Sequence, residues 1–231
     1  MKPKSKNNRT KSIGRYLTEI IVIIIGITLS FALNEWNQGR NDHKAYNRHL
    51  ESLSDDLEID YKQMSSDMKS TNRIINSLVF ALKYDPANTD SLPKLSGSIK
   101  EIMSYTNFLP NNNTFRMLNN TGGLTVFENK ELIGELNQLY QYDYAYIEMM
   151  EAHKDKVLYG HLMPLLYEEI YFEDAITYPN TRTDVKTFLN NKKFRNICID
   201  YEGACSSHHW AYARALQRLE KVKEMVKQEL K

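Results

Sequence analysis

GRNDHKAYNRHLESLSDDLEIDYKQMSSDMKSTNRIINSLVFALKYD, residues 39 to 85, holds neither Gly nor Pro between its first residue and its last. Apolar or neutral residues recur at His43, Tyr46, Leu50, Leu53, Leu57, Tyr61, Met64, Met68, Thr71, Ile75, Leu78 and Leu82. That three-and-four alternation departs from strictness once, and it is the signature of a long amphipathic helix with one face turned inward. At about 1.5 Å per residue the helix extends about 65 Å. An apolar stripe of that length needs a cover, supplied either by other helices of the chain or by a second copy of it.

N-terminal to this helix stands Ile20-Ile-Val-Ile-Ile-Ile-Gly-Ile-Thr-Leu-Ser-Phe-Ala-Leu33, a run without charge, flanked by Tyr16 and Trp36. From Tyr16 to Trp36 a helix covers roughly 30 Å, the thickness of the hydrocarbon core of a bilayer. The two aromatic residues then mark its interfaces. Glu19 belongs at the headgroup level, because a carboxylate at the bilayer centre costs about 2.5 kcal/mol or more. Lys2, Lys4, Lys6, Arg9, Lys11 and Arg15 precede the run with no acid among them. By the positive-inside rule this places the N-terminus in the cytoplasm and everything after Trp36 outside. Small residues at Ser30-Phe31-Ala32 also suit a signal peptidase, but no turn former precedes them, and Asn34-Glu35-Trp36 reads as the interface of a helix that continues. Gly26 and Ser30 form a small-xxx-small pair, found where two spans approach and equally on faces turned to lipid.

C-terminal to the long helix, Asp85-Pro-Ala-Asn-Thr-Asp-Ser-Leu-Pro-Lys-Leu-Ser-Gly-Ser98 concentrates turn formers and reads as a connection, followed by a short helix over Ile99 to Tyr105. Asn113 or Thr114 is placed to cap a short helix that ends at Gly122-Gly123. Asn129 caps the next helix, with its stripe at Ile133, Leu136, Tyr140, Ile147, Met150, Val157 and His161 and a kink or break expected between Gly160 and Pro164. Tyr178-Pro-Asn-Thr181 is a turn, and Asp184 opens a short helix through Leu189. From Phe194 the positions Ile197, Tyr201, Ala204, His208, Ala211, Ala215, Leu219, Val222, Val226 and Leu230 define a last helix of nearly forty residues. The predicted fold is therefore all-α: a basic cytoplasmic tail (1–15), one transmembrane helix (16–36), and an extracytoplasmic bundle of long antiparallel helices (37–231).

The composition narrows the function class. With 42% hydrophobic and 26% charged residues among 231, the chain can build a core. Lys plus Arg number 30 against 29 Asp plus Glu, so no global field favours nucleic acid as partner. Two Cys exclude a disulfide scaffold. On a continuous helix Cys198 and Cys205 stand about 10 Å apart, beyond the roughly 7 Å limit for a bridge, so both are expected buried and reduced unless the helix breaks near Gly203. His208 and His209 with Cys205, Asp200 and Glu202, and more distantly His153 and His161, invite a metal reading. Adjacent His side chains point about 100° apart, and Cys205 with either His makes only two ligands, so His208 reads as a core residue and His209 as a solvated one. Tyr140, Tyr142, Tyr144 and Tyr146 alternate as in a strand or a sugar platform, yet on a helix they form two i, i+4 pairs, and Leu136 before with Met149-Met150 after favours the helix. No Gly-rich phosphate loop, G-x-S-x-G or H-E-x-x-H occurs. No catalytic, metal or cofactor residue is assigned on this basis.

Thr18-Glu-Ile-Ile-Val-Ile-Ile-Ile-Gly-Ile-Thr-Leu-Ser-Phe-Ala-Leu-Asn-Glu-Trp-Asn37, with a Glu before the apolar run and an Asn-x-Trp-Asn element after it, resembles the opening of a family of single-span membrane proteins of Bacteroidota. Asn113-Thr-Phe-Arg-Met-Leu-Asn-Asn-Thr-Gly-Gly-Leu-Thr-Val-Phe-Glu-Asn-Lys-Glu-Leu132, Leu139-Tyr140 and Phe194-Arg-Asn-Ile197 resemble it too. That family is a domain of unknown function. The resemblance implies a retained span and a helical outer domain, and it carries no catalytic residue.

Three functions fit this organisation. The first is a scaffold or accessory subunit of an inner-membrane envelope complex, contacting the lipid bilayer and a protein partner, or a second copy, through the Leu50 to Leu82 helix, with its C-terminal domain in the periplasm. The second is a periplasmic ligand-binding sensor that passes a helix shift through the span to a partner, since a tail of this length cannot form an output domain. The third is a metal-dependent periplasmic enzyme built around Cys205 and His208.

Overall fold

The computed structural model describes residues 8–85, 87, 89–127, 129–171 and 185–230. The Tyr178–Thr181 turn, the Asp184 helix start, Pro86, Asn88, the tail residues Lys2, Lys4 and Lys6, and the His43 side chain lie outside the described residues. Among those described, the structure is all-α, with no strand. The chain divides into two units, one up to His49 and one from Leu50 onward.

Helix α1 spans Asn8–Lys83 and contributes to both units. In the first unit, residues 18 to 41 are all exposed, and the part of α1 from Thr18 on is long and apolar enough to cross a membrane by length and composition. The two hydroxyls of the apolar run are satisfied within the helix: Thr28 Oγ1 donates to the Ile24 carbonyl and Ser30 Oγ to that of Gly26, both at 2.8 Å. Such back-bonding lets a hydroxyl lie in an apolar medium without an unpaired donor.

In the second unit, α1 supplies the central stripe, and its register differs from the predicted one. Leu50, Leu53, Leu57, Asp60, Met64, Thr71, Ile74, Leu78 and Ala81 are buried, with Asp67 half-buried between Met64 and Thr71. This alternation is strict, whereas the apolar neighbours Tyr61, Met68, Ile75 and Leu82 lie half-buried at its edge. Two aspartates and a threonine thus occupy inward positions. The inward apolar positions Leu50, Leu53, Leu57, Met64, Ile74, Leu78 and Ala81 are covered within the chain itself, whereas Tyr61, Met68, Ile75 and Leu82 of the predicted stripe are covered only in part.

Helix α2 spans Leu92–Ile102 and begins inside the stretch read as a connection. Pro93 lies in its first turn, where the missing N–H is harmless. Leu95, Ile99 and Ile102 form its buried face, which draws the helix seven residues further toward the N-terminus than the turn formers suggested. Helix α3 is Asn113–Thr121. Neither Asn113 nor Thr114 caps it with a side chain; the Thr114 N–H instead donates to Asp56 Oδ2 of α1 at 3.2 Å. Gly122 ends α3 in the left-handed region at φ 72°, a conformation a side chain disfavours.

The run 130–169 comprises α4 (Lys130–Asn137), α5 (Tyr144–Val157) and α6 (Met163–Glu169), joined by π-helical turns at Gln138–Asp143 and Leu158–Leu162. Asn129 caps α4 as predicted, accepting from the Leu132 N–H at 3.0 Å. Helix does not stop at Gly160–Pro164. The π turn passes the Met163 N–H to the Leu158 carbonyl, and Pro164 falls in the first turn of α6. Each π turn inserts a residue and rotates the faces that follow, which is why His161 of the predicted stripe is exposed.

Helix α7 (Val185–Asn190) leads into α8, Lys192–Glu229, 38 residues long. Asn191 caps α8 by accepting from Lys193 and Phe194. Its predicted stripe from Tyr201 to Val226 is buried throughout, with Ile197 half-buried and Leu230 exposed. Gly203 does not interrupt it, and Cys198 and Cys205 are both free and buried. Partner residues reveal direction. Glu58 and Tyr61 of α1 meet Lys223 and Glu220 of α8, so these helices run in opposite senses. Glu135 meets Lys221 and Asp143 meets Arg214, which sets the α4–α5 run opposite to α8 as well.

Candidate functional site

Two groups of buried polar side chains lie between α5 and the helices around it, and they differ in how far they are satisfied. The first centres on Asp143, only 1% exposed, which the π turn carries to the α8 side. Arg214 Nε donates to its Oδ1 at 2.9 Å, and Arg218 Nε donates to its Oδ2. Arg218 also pairs with Glu135, and Lys221 Nζ reaches Glu135 at 2.8 Å and Glu131 at 2.9 Å. The hydrogen bonds of Lys221 and Arg218 hold the Glu135 carboxyl below the usual carboxylate range. Arg214 lies over the rings of Tyr146 and Trp210, 5.1 and 5.5 Å from their centroids. Every charge in this network has an opposite partner.

The second group centres on Lys154, also 1% exposed. Its Nζ donates to the Thr106 carbonyl at 2.9 Å and to Thr106 Oγ1 at 3.0 Å, with Asp155 Oδ1 at 3.8 Å. Three carboxyls, Asp67, Glu151 and Asp155, share this one ammonium, and burial raises the pKa of each while Lys154 opposes the rise. Glu151 is pushed up to about 7. Facing them on α8 is His208, fully buried, whose ring nitrogens both lack a hydrogen-bond partner. Burial, with the charges of Lys154 and His209 added, pushes it down to about 3, so it is neutral. Asp67 Oδ2, Thr71 Oγ1, Ser104 Oγ, Glu151 Oε1 and the Tyr212 hydroxyl also lack a partner. An unpaired buried polar atom costs about 1–3 kcal/mol, so a concentration of them within a packed domain requires a reason.

The lip of this region is a pocket of about 370 Å³ between the segment 107–112 and the start of α5. Its aromatic wall is Phe108, Tyr140 and Tyr144: Tyr144 meets Phe108 edge to face at 5.1 Å and Tyr140 at 5.1 Å, and Tyr140 stacks on Phe115 at 4.5 Å. Tyr144 donates to Asp60 Oδ2 at 2.8 Å, and Asp60 Oδ1 accepts from the Asn111 N–H at 2.7 Å, so the α1 aspartate holds both walls in place. Glu148 and Glu151 complete the lining with Ala145. Tyr140 and Glu151 each carry an unpartnered atom, the hydroxyl and Oε1. Burial and the nearby Asp60 and Asp56 raise the Tyr140 hydroxyl well above its ordinary pKa, so it remains protonated and able to donate.

The residues singled out in the sequence are dispersed. His208, Cys198 and Cys205 are buried on α8, and burial pushes both thiols up to about 12. Asp200, His153 and His161 are exposed, His209 is half-buried, and Glu202 accepts from Ser206 Oγ at 2.8 Å. Among the described residues no three His, Cys, Asp or Glu side chains converge so as to hold a metal. Of the four tyrosines, Tyr140 and Tyr144 pair and line the pocket, Tyr146 packs on Trp210 at 5.9 Å, and Tyr142 is exposed. Asp60, Asp67, Asp143, Glu151 and Lys154 escape a reading based on apolar periodicity. A strict three-and-four count would have found Asp60 and Asp67 in line with Leu57 and Met64, and Glu151 and Lys154 in line with Ile147 and Leu158.

Comparison with known proteins leaves this geometry to speak for itself: no family model, no curated protein and no solved structure matches the chain.

Proposed function

We propose that the chain is a single-pass inner-membrane protein with its N-terminus in the cytoplasm, and that its helical domain is a periplasmic ligand-binding sensor module. The orientation rests on the basic residues before the apolar run, and the membrane reading on that run's length and exposure. The domain then stands as a bundle whose long helices run antiparallel to α8, in keeping with the resemblance to single-span proteins of Bacteroidota. One observation carries the ligand-binding reading: a pocket walled by aromatic rings to which Tyr140 and Glu151 each bring a buried, unpartnered polar atom. Helix α1 belongs to both units and is the element along which occupancy would be passed on.

The test is to purify the full chain in nanodiscs and dialyse it against a pool of small metabolites, beside an Ala145→Trp variant. Ala145 is exposed and lines the pocket, so a Trp there fills the pocket without disturbing the core. A compound retained by the wild type and lost from the variant supports the reading. Retention of the same compounds by both, or of none, overturns it.

The accessory-subunit reading has one supporting observation on the surface of the domain. Tyr142, Met149, Tyr159 and Trp210 are each more than half exposed on the outer sides of α5, its flanking π turns and α8. Aromatic residues and Met are enriched at protein interfaces. A C-terminal tag, mild detergent and mass spectrometry decide the matter: a stoichiometric partner, lost when Trp210 and Tyr142 are changed to Ser, establishes this reading.

A further inference from the structure

The pocket between segment 107–112 and α5 has a definite chemical bias. Glu148 and Glu151, one turn apart on α5, line it. Asp60 of α1 stands against the other wall, accepting from the Tyr144 hydroxyl and the Asn111 N–H. No Lys or Arg lines the pocket, and the Lys154 ammonium beside Glu151 is bound twice to Thr106. An anion would therefore meet carboxylates on two sides. Glu151 is only 8% exposed, and its Oε1 accepts from nothing in the protein. The atom that lacks a partner is thus a carboxylate acceptor, which calls for a donor. Phe108, Tyr140 and Tyr144 line the same pocket, and an aromatic face attracts a cation.

We infer that this pocket binds an organic cation bearing a primary ammonium group on an aliphatic chain, with Glu151 as its counter-charge, Glu148 at the mouth and the rings of Tyr140 and Tyr144 along the chain. A primary ammonium supplies the donors that Glu151 Oε1 and the Tyr140 oxygen can accept, which a quaternary ammonium cannot. An aliphatic chain fits the aromatic wall and the volume of about 370 Å³. The inference rests on the ligand-binding reading and names the class of ligand for that same site.

The test uses isothermal titration calorimetry on the full chain in a neutral detergent, with 1,4-diaminobutane as the probe and 1,4-butanediol as its uncharged counterpart of equal length. The diamine is expected to bind with a Kd below about 1 mM and the diol to give no heat. Glu151→Gln, equal in size, is expected to weaken the diamine by about tenfold or more while its thermal unfolding stays cooperative; Ala145→Trp, on the exposed side of the pocket, is expected to abolish binding and serves if the first variant does not fold. Equal binding of diol and diamine overturns the inference, as does diamine binding that neither variant alters. If the diamine does not bind but the dialysis experiment yields another compound lost from Ala145→Trp, the cation class falls and the ligand-binding reading stands. If neither yields a ligand, both fall.

Discussion

The Asp143 network and the Lys154 group lie along the same pair of helices and follow opposite rules. Around Asp143 two arginines, a lysine and two glutamates close every charge upon another, and the arginines stay partly exposed, so little desolvation is left uncompensated. Around Lys154 three carboxyls divide one ammonium, a neutral histidine is without a partner, and several hydroxyls are unpaired. The first arrangement is what a helix interface requires for stability. The second costs stability where it stands, and titratable groups shifted by burial in this way cluster at functional sites.

That contrast breaks most readily at its satisfied end. Changing both Arg214 and Arg218 to Ala leaves the Asp143 carboxylate buried without a counter-charge, and the domain is expected to lose about 3–5 kcal/mol of unfolding free energy, measured by urea denaturation. A loss below about 1 kcal/mol would show that the Asp143 carboxyl does not depend on the two arginines, and the contrast between the two groups would then fail.

The pH dependence of stability sharpens the other end. Burial raises Glu151 from 4.5 to about 7, so the folded chain holds a proton that the unfolded chain has already released. Its contribution is full below about pH 4.5 and is lost as pH rises through 7. His208, depressed from 6.5 to about 3, works in the opposite direction: its contribution is present above pH 6.5 and is lost as pH falls through 3. Relative to wild type, His208→Leu is therefore expected to gain stability progressively as the pH is lowered from 6.5 toward 3. Glu151→Gln is expected to gain it as the pH is raised from 4.5 toward 7. Urea midpoints collected across pH 3 to 8 check both slopes, and parallel curves for variant and wild type would refute the assignment of these two groups as the buried titrating pair.

A smaller effect has the opposite sign to ordinary core mutation. Tyr212→Phe removes an unpartnered buried hydroxyl while the ring keeps its contact with His208 at 4.4 Å, so stability is expected to rise by about 1 kcal/mol. A loss of that size in the same urea experiment would mean that the hydroxyl is satisfied by water, and that the Lys154 region is a hydrated interior. Smallest of all is Lys221→Ala. Lys221 is half exposed, its pair with Glu131 is solvated, and Glu135 keeps Arg218, so its denaturation midpoint is expected to coincide with wild type within experimental scatter, which separates the buried core of the Asp143 network from its exposed fringe.

The legibility of the fold in the sequence follows the same division. Helix α8 was readable to within a few residues because its stripe is apolar from Ala204 to Val226 apart from His208, although its cap at Asn191 was not read. The stripe of α1 was readable as a helix but drifted by one residue at Asp60, Asp67, Ile74 and Ala81, since a search for apolar residues steps around acids that face inward. The α3 cap was misplaced for a related reason: Asp56, which accepts from Thr114, lies on another helix. Of the pocket, only Tyr140 and Tyr144 were legible, as part of a pattern within one helix.

What the sequence determined by itself is what local periodicity and chain chemistry control. That includes helix as the only regular structure described, an uncharged run long enough for a bilayer, the inward face of α8, and two cysteines too far apart along a helix to bridge. The tertiary structure alone decided which charges lie inside, because a buried Asp60, Asp143 or Lys154 is tolerated only through partners on other helices and segments: Tyr144 and Asn111, Arg214 and Arg218, Thr106. It also decided that Ile74, Leu78 and Ala81 of α1 are closed over, since the supply of apolar surface on α2, α5, α6 and α8 is a property of their packing and not of any one of them. Hydrophobic patterning is short in range and survives in a linear reading; electrostatic compensation acts between distant parts of the chain and exists only once they have been brought together.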